Sequence, residues 1–313
     1  MNSKSKLPGK LFCMFLLAGM FVFNSCEKAT TGGGGTGGGG TGGGGGGNPN
    51  PSSLAQRIIL DTAYGTDAKQ KMDIYLPAGR NNTTKVIIMI HGGGWAAGDK
   101  SEVSFFQPMF WQKWPEAAIV NINYRLANNS NIHHAEIMAD VKNAIKFITD
   151  NKTAFAISDT LALWGNSAGA QLALLYTYTQ NTNNYVKAVC DVYGPCVIND
   201  WSWYNSYNIF VGMSVKEVLT KYNGSTWEAD STYYFANSPY VRVQANSKPT
   251  IIFHGTIDVV VPLYQSQWLR GKLNNLGVPN EYYEYFFDGH GFNPTNNYDC
   301  VNKTVTFFKK YLK

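Results

Sequence analysis

The chain contains 313 residues with a formal net charge of +5, and aromatic residues make up 14% of it. Three of the positive charges, Lys4, Lys6 and Lys10, precede an N-terminal apolar run, and without them the net charge is about +2. No other basic run or stripe is present in the sequence, which argues against nucleic acid as a partner and against a polybasic membrane contact.

The first 25 residues have the pattern of a secretory signal peptide. A basic start leads into the apolar run Leu11–Phe23, which is shorter than a membrane span needs, and small residues follow before Cys26. In the stretch FNSC, Cys26 stands where a bacterial lipoprotein carries its lipidated cysteine. We therefore expect residues 1–25 to be removed and Cys26 to anchor the protein to a membrane of the cell envelope, with plain secretion as the alternative.

Residues 26–53 are predicted to form a flexible linker. The tract Gly32–Gly47 contains only glycine and threonine, so it cannot bury apolar surface and is expected to stay disordered. Such a segment suits a tether between an anchor and a working domain. The folded part is therefore residues 54–313, about 260 residues, which is enough for one large α/β domain.

Apolar runs and helical patterns alternate through the folded part. Short buried-strand candidates are followed by segments whose apolar residues recur every three to four positions. This alternation predicts an α/β fold with a mostly parallel, doubly wound sheet and helices on both faces. Ligands bind at the carboxyl ends of the strands in such sheets. The predicted strands are 85–91, 117–124, 160–165, 187–194, 249–255 and 281–287, and the predicted helices are 134–150, 167–179, 263–277 and 297–312.

A glycine-rich loop, HGGGW, follows the strand core KVIIMI. Gly93 and Gly94 belong to a run of three glycines that lets backbone N–H groups approach a substrate oxygen without side-chain obstruction. A phosphate-binding loop is the alternative, but the Lys-Ser/Thr pair that such a loop needs does not follow. The loop is therefore predicted to bind an oxyanion, and His91 is expected to shape it.

The stretch GNSAG places Ser167 between a predicted strand and a predicted helix. Two glycines flanking a serine indicate a backbone that turns very sharply, as in the strained elbow that presents a nucleophilic serine. The alternative is an ordinary strand-to-helix turn in which Ser167 caps the helix. These five residues leave both interpretations open, and the rest of the chain has to decide between them.

A segment dense in aromatic residues interrupts the alternation at about residues 197–245. Because it follows the end of a strand, it is predicted to be a small cap insertion over the ligand face. The nearby Cys190 and Cys196 could form a disulfide in an oxidising compartment. A buried free thiol at Cys190 is the alternative.

Candidates for a base and an acid follow the last predicted strands. His290 lies between two glycines that allow a tight loop to present its ring as a base. Asp258 lies just past the strand 249–255 and is the preferred acid. Asp288 is the rival, but it stands two residues from His290, where an aspartate is more typical of a turn. The chain order Ser167, Asp258, His290 is that of α/β-hydrolases.

The other histidines have predicted structural roles. His133 and His134 open a predicted helix and are expected to be capping or surface groups. His254 ends a predicted strand, and we expect it to fix the turn that follows.

From about Tyr64 to the C-terminus the chain resembles the α/β-hydrolase superfamily. Within it, the chain is similar to the esterase/lipase branch with an HGGGW loop, including the bacterial bifunctional feruloyl and acetylxylan esterases. Ala170 is a departure, because the elbow often continues there with a second glycine and the added methyl group could tighten its packing on the sheet. The motifs that carry the resemblance are YGTDAKQKMDIYLP, IHGGGWAAGDK, NYRLA, LWGNSAGAQLAL, SPYV, HGTIDVVVP and GHGF.

The resemblance implies a serine carboxylesterase that acts through an acyl-enzyme and needs no metal or cofactor. Ser167 is the implied nucleophile, His290 the base and Asp258 the acid that orients it. The implied substrates are short-acyl esters or feruloyl and acetyl esters of plant polysaccharides, whose rings aromatic side chains can stack on. The implied oxyanion donors are the N–H groups of Gly93, Gly94 and Ala168.

Two other functions are compatible with the sequence. A serine peptidase of the prolyl-oligopeptidase type shares the fold, but such enzymes usually carry a large N-terminal propeller, where this chain has a glycine tether. A non-catalytic binding protein built on a hydrolase fold generally lacks one member of the triad, and all three are present here.

Overall fold

The structure is a computed structural model that describes residues 54–206 and 213–313, together with the backbone of residues 209–210. The predicted signal peptide, the predicted linker and Cys26 lie outside the described residues. In the part of the chain that the structure describes, no helix is long and apolar enough to span a bilayer.

The central feature is an eight-stranded sheet. Its strands are β1 (Arg57–Ala63), β2 (Lys71–Leu76), β3 (Val86–Ile90), β4 (Ala118–Ile122), β5 (Leu161–Asn166), β6 (Val186–Val192), β9 (Thr250–Gly255) and β10 (Asn280–Tyr285). A separate hairpin pairs β7 (Ile209–Phe210) with β8 (Met213–Ser214). The order in the large sheet is β1-β2-β4-β3-β5-β6-β9-β10, and all neighbours are parallel except β1 with β2 and β2 with β4.

Helices connect the parallel strands. They are α1 (Phe106–Lys113), α2 (His134–Asp150), α3 (Lys152–Phe155), α4 (Ala168–Thr179), α5 (Trp201–Tyr204), α6 (Val215–Asn223), α7 (Ser231–Ala236), α8 (Pro239–Arg242), α9 (Leu263–Asn275) and α10 (Pro294–Tyr311), with a short 3₁₀ helix at Lys100–Val103. Apolar residues at helical spacing place one stripe of α2 against the sheet, since Ile137, Val141 and Ile145 are all buried.

The sheet carries a buried apolar layer on each face. Strand β3 shows why, because its five residues are all buried and its side chains alternate between the two sides. Ile88 belongs to the core formed with α2, α4 and α9. Ile87 belongs to the core formed with α1 and α10. The predicted doubly wound, mostly parallel sheet with helices on both faces is therefore confirmed.

Strands β1 and β2 and helix α1 were not predicted from the sequence. The residues of β1 are largely exposed, so this edge strand has no buried apolar run to signal it. Strand β2 alternates polar and apolar residues in KMDIYL and pairs antiparallel on both sides. Helix α1, in the connection between β3 and β4, has a weak apolar stripe in which Phe106 and Phe110 are the buried members.

The segment between β6 and β9 contains α5 to α8 and the small hairpin, in the region predicted to be a cap insertion. Tyr204, Tyr222 and Tyr234 are fully buried in it, so many of its aromatic side chains pack the insertion itself. Trp203 joins the insertion to the loop after β9, because its indole N–H donates to the carbonyl of Val260 at 2.9 Å.

The three described cysteines, Cys190, Cys196 and Cys300, are buried free thiols. Cys190 lies in the core on the α10 side of the sheet, whereas Cys196 lies in the core on the other side. The thiol of Cys196 donates to Asp191 Oδ2 at 3.2 Å. Of the two alternatives left open by the sequence, the structure contains the free thiol.

Candidate active site

Ser167 occupies a strained position between β5 and α4. Its φ of 52° and ψ of −125° lie outside the regions that side chains favour. Such a conformation costs on the order of 1–3 kcal/mol and persists only where the surrounding structure enforces it. Here the N–H of Ser167 donates to the carbonyl of Val192 on the neighbouring strand β6 at 2.9 Å. The geometry is that of the elbow and not of an ordinary helix cap.

The two glycines of the elbow provide space for a close approach of backbones. A Cβ added to Gly165 would lie 2.4 Å from the carbonyl carbon of Gly169. A Cβ added to Gly169 would lie 2.1 Å from the carbonyl oxygen of Ile90, at the end of β3. The unusual φ is carried by Ser167 and not by either glycine. The glycines therefore let the start of α4 pack directly on the strands.

The methyl group of Ala170 is accommodated by a glycine elsewhere in the chain. A Cβ added to Gly194, in the loop after β6, would lie 2.6 Å from the Cβ of Ala170. Ala170 itself is fully buried. The departure from the usual second glycine is thus compatible with the elbow because residue 194 has no side chain.

We expect Gly169→Ala to destabilise the fold by about 2–3 kcal/mol or more, because the methyl group meets a backbone carbonyl that cannot rotate away. Gly271→Ala is the matched control, since Gly271 lies within α9 and a Cβ there meets nothing within 4 Å. That change should stabilise the fold by about 0.5–1 kcal/mol. Urea denaturation of both variants measures the difference, and equal stabilities would contradict this account of the elbow.

Ser167, His290 and Asp258 form one chain of hydrogen bonds. His290 Nε2 lies 2.8 Å from Ser167 Oγ. His290 Nδ1 lies 2.8 Å from Asp258 Oδ2. Since the carboxylate can only accept, Nδ1 carries the proton and Nε2 accepts from the serine hydroxyl. The structure therefore brings together the three predicted side chains, with Nε2 of His290 within hydrogen-bond distance of the Ser167 hydroxyl.

The environment of Asp258 keeps its carboxyl group ionised. Its side chain is fully buried, and burial alone would raise the pKa, but hydrogen bonds from His254 and His290 hold the pKa well below its usual range. The other oxygen, Oδ1, accepts from the N–H groups of Val260 and Val261 at 2.8 and 2.9 Å. Asp258 is thus fixed by its own turn and by two imidazoles.

Asp288, the rival acid, organises the loop that leads into α10. Its carboxylate accepts from the side-chain amides of Asn293 at 2.9 Å and Asn296 at 2.7 Å. Its backbone carbonyl packs against β9, where a Cβ added to Gly255 would lie 2.2 Å from it. This is the turn-forming role that the sequence indicated as the alternative.

The HGGGW loop runs beside the nucleophile. A Cβ added to Gly92 would lie 3.1 Å from the Cβ of Ser167. Gly93 and Gly94 have φ values of +99° and +58°, which favour glycine, and the carbonyl of Gly93 accepts from the N–H of Ala97 at 2.9 Å. Ala168 begins α4, where free N–H groups and the helix dipole favour negative charge.

His91 shapes this loop, as the sequence predicted. Its ring stacks on Tyr124, with 4.4 Å between centroids, and its Nδ1 donates to the carbonyl of Gly92 at 2.8 Å. Burial lowers the pKa of His91 to about 4, so the ring is neutral at physiological pH.

His254 fixes the turn after β9, and it also contacts the acid. Its Nε2 donates to the carbonyl of Val261 at 2.9 Å and lies 3.2 Å from Asp258 Oδ2. Its Nδ1 lies 2.7 Å from the hydroxyl of Ser266. We did not predict the contact between His254 and Asp258 from the sequence. The signal that could have indicated it is that the two residues are only four positions apart in HGTID.

The expectation for the remaining histidines is correct for one and wrong for the other. His133 is the N-cap residue of α2, and its N–H donates to Glu136 at 3.0 Å. His134 is buried, and its Nδ1 lies 2.6 Å from the hydroxyl of Tyr222 on α6. Burial lowers the pKa of His134 to about 4. His134 is therefore neither a cap nor a surface group, because the insertion covers it.

Comparisons with known proteins find a family model and several esterases to which this chain is similar. A family model described as BD-FAE matches residues 72–273, more than half of the chain, and the match ends before His290. The chain is 27% identical to esterase LipC of Mycobacterium tuberculosis over 249 residues, 73% of this chain and 58% of that protein. It is 23% identical to isoprenylcysteine alpha-carbonyl methylesterase ICME of Arabidopsis thaliana over 238 residues, 70% of this chain and 53% of that protein. The chain thus spans just over half the length of these relatives.

Solved structures share the fold. A truncated form of a carbohydrate esterase from gut microbiota matches with a TM-score of 0.70 and 22% identity, over 84% of this chain and 98% of that one. At this level of identity the likeness concerns the fold alone. It confirms the α/β-hydrolase fold that the sequence motifs predicted.

Proposed function

Because the chain belongs to the BD-FAE family of the α/β-hydrolase superfamily, we propose that it is a serine carboxylesterase. The observation that carries the proposal is the continuous hydrogen-bonded path from Asp258 through His290 to Ser167, with 2.8 Å at each step. The strained elbow and the adjacent glycine loop support the same chemistry, because acyl transfer through serine needs a presented hydroxyl and oxyanion donors.

In the proposed mechanism, His290 Nε2 takes the proton of Ser167 as Oγ attacks the ester carbonyl. Asp258 stabilises the imidazolium that forms. The oxyanion of the tetrahedral intermediate accepts hydrogen bonds from the N–H groups of Gly93, Gly94 and Ala168. His290 then protonates the leaving alcohol, which leaves an acyl group on Ser167. Water, deprotonated by His290, attacks this acyl-enzyme and releases the acid.

For substrates we propose short-acyl esters and the feruloyl or acetyl esters of plant polysaccharides. The family match and the fold likeness to a carbohydrate esterase support this class. The side chains of Trp201 and Phe235 are 48% and 54% exposed on the insertion, which leaves aromatic surface for sugar or aryl rings.

A panel of substrates tests the proposal. We expect turnover of p-nitrophenyl acetate, and of methyl ferulate or acetylated xylan, with less than about 1% of these rates on a proline-linked peptide anilide. The Ser167→Ala protein, purified in parallel, controls for contaminating esterases. Turnover of the peptide alone would instead indicate a peptidase, and no turnover of any member by folded protein would indicate a binding protein.

A further inference from the structure

Trp95 ends the HGGGW loop in a conformation that its side chain does not favour. Gly93, Gly94 and Trp95 are three consecutive residues with positive φ, and Trp95, at +58°, is the one that has a side chain. Glycines hold no conformation by themselves, because many are open to them at little cost. Because Trp95 follows these two glycines directly, the contacts that hold Trp95 affect the positions of the Gly93 and Gly94 amides.

The indole of Trp95 is 1% exposed and makes one hydrogen bond and one ring stack with two side chains. Its N–H donates to Gln171 Oε1 at 3.0 Å, and Gln171 lies on α4, one helical turn after Ser167. Its ring stacks on that of Tyr222, with 4.2 Å between centroids and 16° between planes. Tyr222 belongs to α6, within the insertion. One contact thus comes from the nucleophile's helix and the other from the insertion.

The hydroxyl of Tyr222 joins these two contacts. It donates to the same Gln171 Oε1 at 3.0 Å. Since its proton is used there, its oxygen accepts from Nδ1 of His134, 2.6 Å away on α2. The amide of Gln171 donates in turn to the carbonyl of Asn237 at 2.9 Å. The stack on Trp95 is therefore fixed in position by groups from three separate helices and a loop, all buried.

We propose that Tyr222 is a positioning residue for the oxyanion loop and acts through Trp95. The insertion would then complete the catalytic centre from behind the loop, in addition to any contact it makes with substrate. This inference rests on the proposed esterase function, since it assigns to the Gly93 and Gly94 amides a task in the transition state. A shifted amide reduces the stabilisation of the transition state more than the binding of the ester in its ground state. We therefore expect kcat to fall and KM to change little.

The test compares Tyr222→Leu with a matched variant, Tyr234→Leu. Tyr234 is also fully buried in the insertion, but its hydroxyl donates to Ser225 and its ring packs against Tyr204 and Trp227. With p-nitrophenyl acetate we expect Tyr222→Leu to lower kcat by about 10- to 100-fold with KM within about threefold. Tyr234→Leu should keep kcat within about twofold at a similar loss of Tm. An equal fall of kcat in both would overturn the proposal.

A measurement that is independent of activity separates this inference from the proposed function. Hydrogen–deuterium exchange should be at least about tenfold faster over residues 91–99 in Tyr222→Leu, and unchanged there in Tyr234→Leu. Tyr222→Phe, which keeps the stacked ring and is expected to fold, should fall between wild type and Tyr222→Leu in both measurements. Unchanged exchange over residues 91–99 in both Tyr222 variants would show that Trp95 is held without Tyr222. Wild-type protein without esterase activity would instead overturn the proposed function.

The route through Trp95 is tested by a double-mutant cycle. If Tyr222 acts through Trp95, then Tyr222→Leu should change kcat by less than about twofold in a Trp95→Leu background. Additive losses in the double variant would mean that Tyr222 affects the site by another path and would contradict the inference.

Discussion

Replacing Ser167 by alanine is expected to lower kcat/KM for p-nitrophenyl acetate by about 10⁴-fold or more, because the attacking oxygen is removed and only binding and oxyanion stabilisation remain. The fold should survive, since alanine keeps the Cβ and the hydrogen bond from the backbone N–H of residue 167 to the carbonyl of Val192. Ser167→Gly should lose as much activity while gaining stability, because glycine adopts the φ of 52° without strain. Steady-state kinetics and thermal denaturation measure both effects.

His290 should act with Ser167 as one unit. His290→Ala is expected to cost about as much activity as Ser167→Ala, and the double variant should be little worse than either. His133→Ala is the matched histidine control, because His133 caps α2 and should leave kcat/KM within about twofold. If the two losses of activity multiplied in the double variant, Ser167 and His290 would not share one mechanism. If either single variant retained a tenth of the wild-type activity, the replaced residue would not be part of the catalytic mechanism.

Much of the site could be predicted from the sequence because its signals are local. The periodicity of HAEIMADVKNAIKFITD predicted the helix that the structure has over His134–Asp150. The candidates Ser167, Asp258 and His290 each stand near a strand end in a glycine-containing turn. Because parallel strands present their carboxyl ends at one edge, positions at strand ends predict proximity in space.

What the sequence could not show depends on contacts between distant residues. His134 and Tyr222 are 88 positions apart, so nothing near His134 signals that the insertion buries it. The need for glycine at position 169 arises from a carbonyl on β3, which is brought there only by the completed sheet. The mostly exposed strand β1 forms by pairing with β2, and its own pattern carries little hydrophobic signal.

Asp258→Asn is expected to lower kcat by about 10³- to 10⁴-fold with the fold intact. The carboxylate accepts from two backbone N–H groups at Oδ1 and from His290 and His254 at Oδ2. An asparagine oxygen can replace Oδ1, but its NH₂ group then faces two imidazole N–H donors. His290 would have to move its proton to Nε2, where it could no longer accept from Ser167. The matched control is Asp288→Asn. The partners of Asp288 are the side-chain amides of Asn293 and Asn296, so kcat of this variant should stay within about tenfold of the wild-type value.

The same substitution has a predicted effect on acid stability. The pKa of Asp258 is lower in the folded protein than its ordinary value of 3.8, so the unfolded chain binds the proton first as the pH falls. The ionised carboxylate therefore stabilises the fold above pH 4, and this contribution is lost progressively below it. Asp258→Asn removes that contribution, so its Tm should fall less steeply than that of wild type between pH 4 and pH 2. If Asp258→Asn kept full activity while Asp288→Asn lost it, the acid would be Asp288, and the hydrogen bond that His290 donates to Asp258 would have no role in turnover.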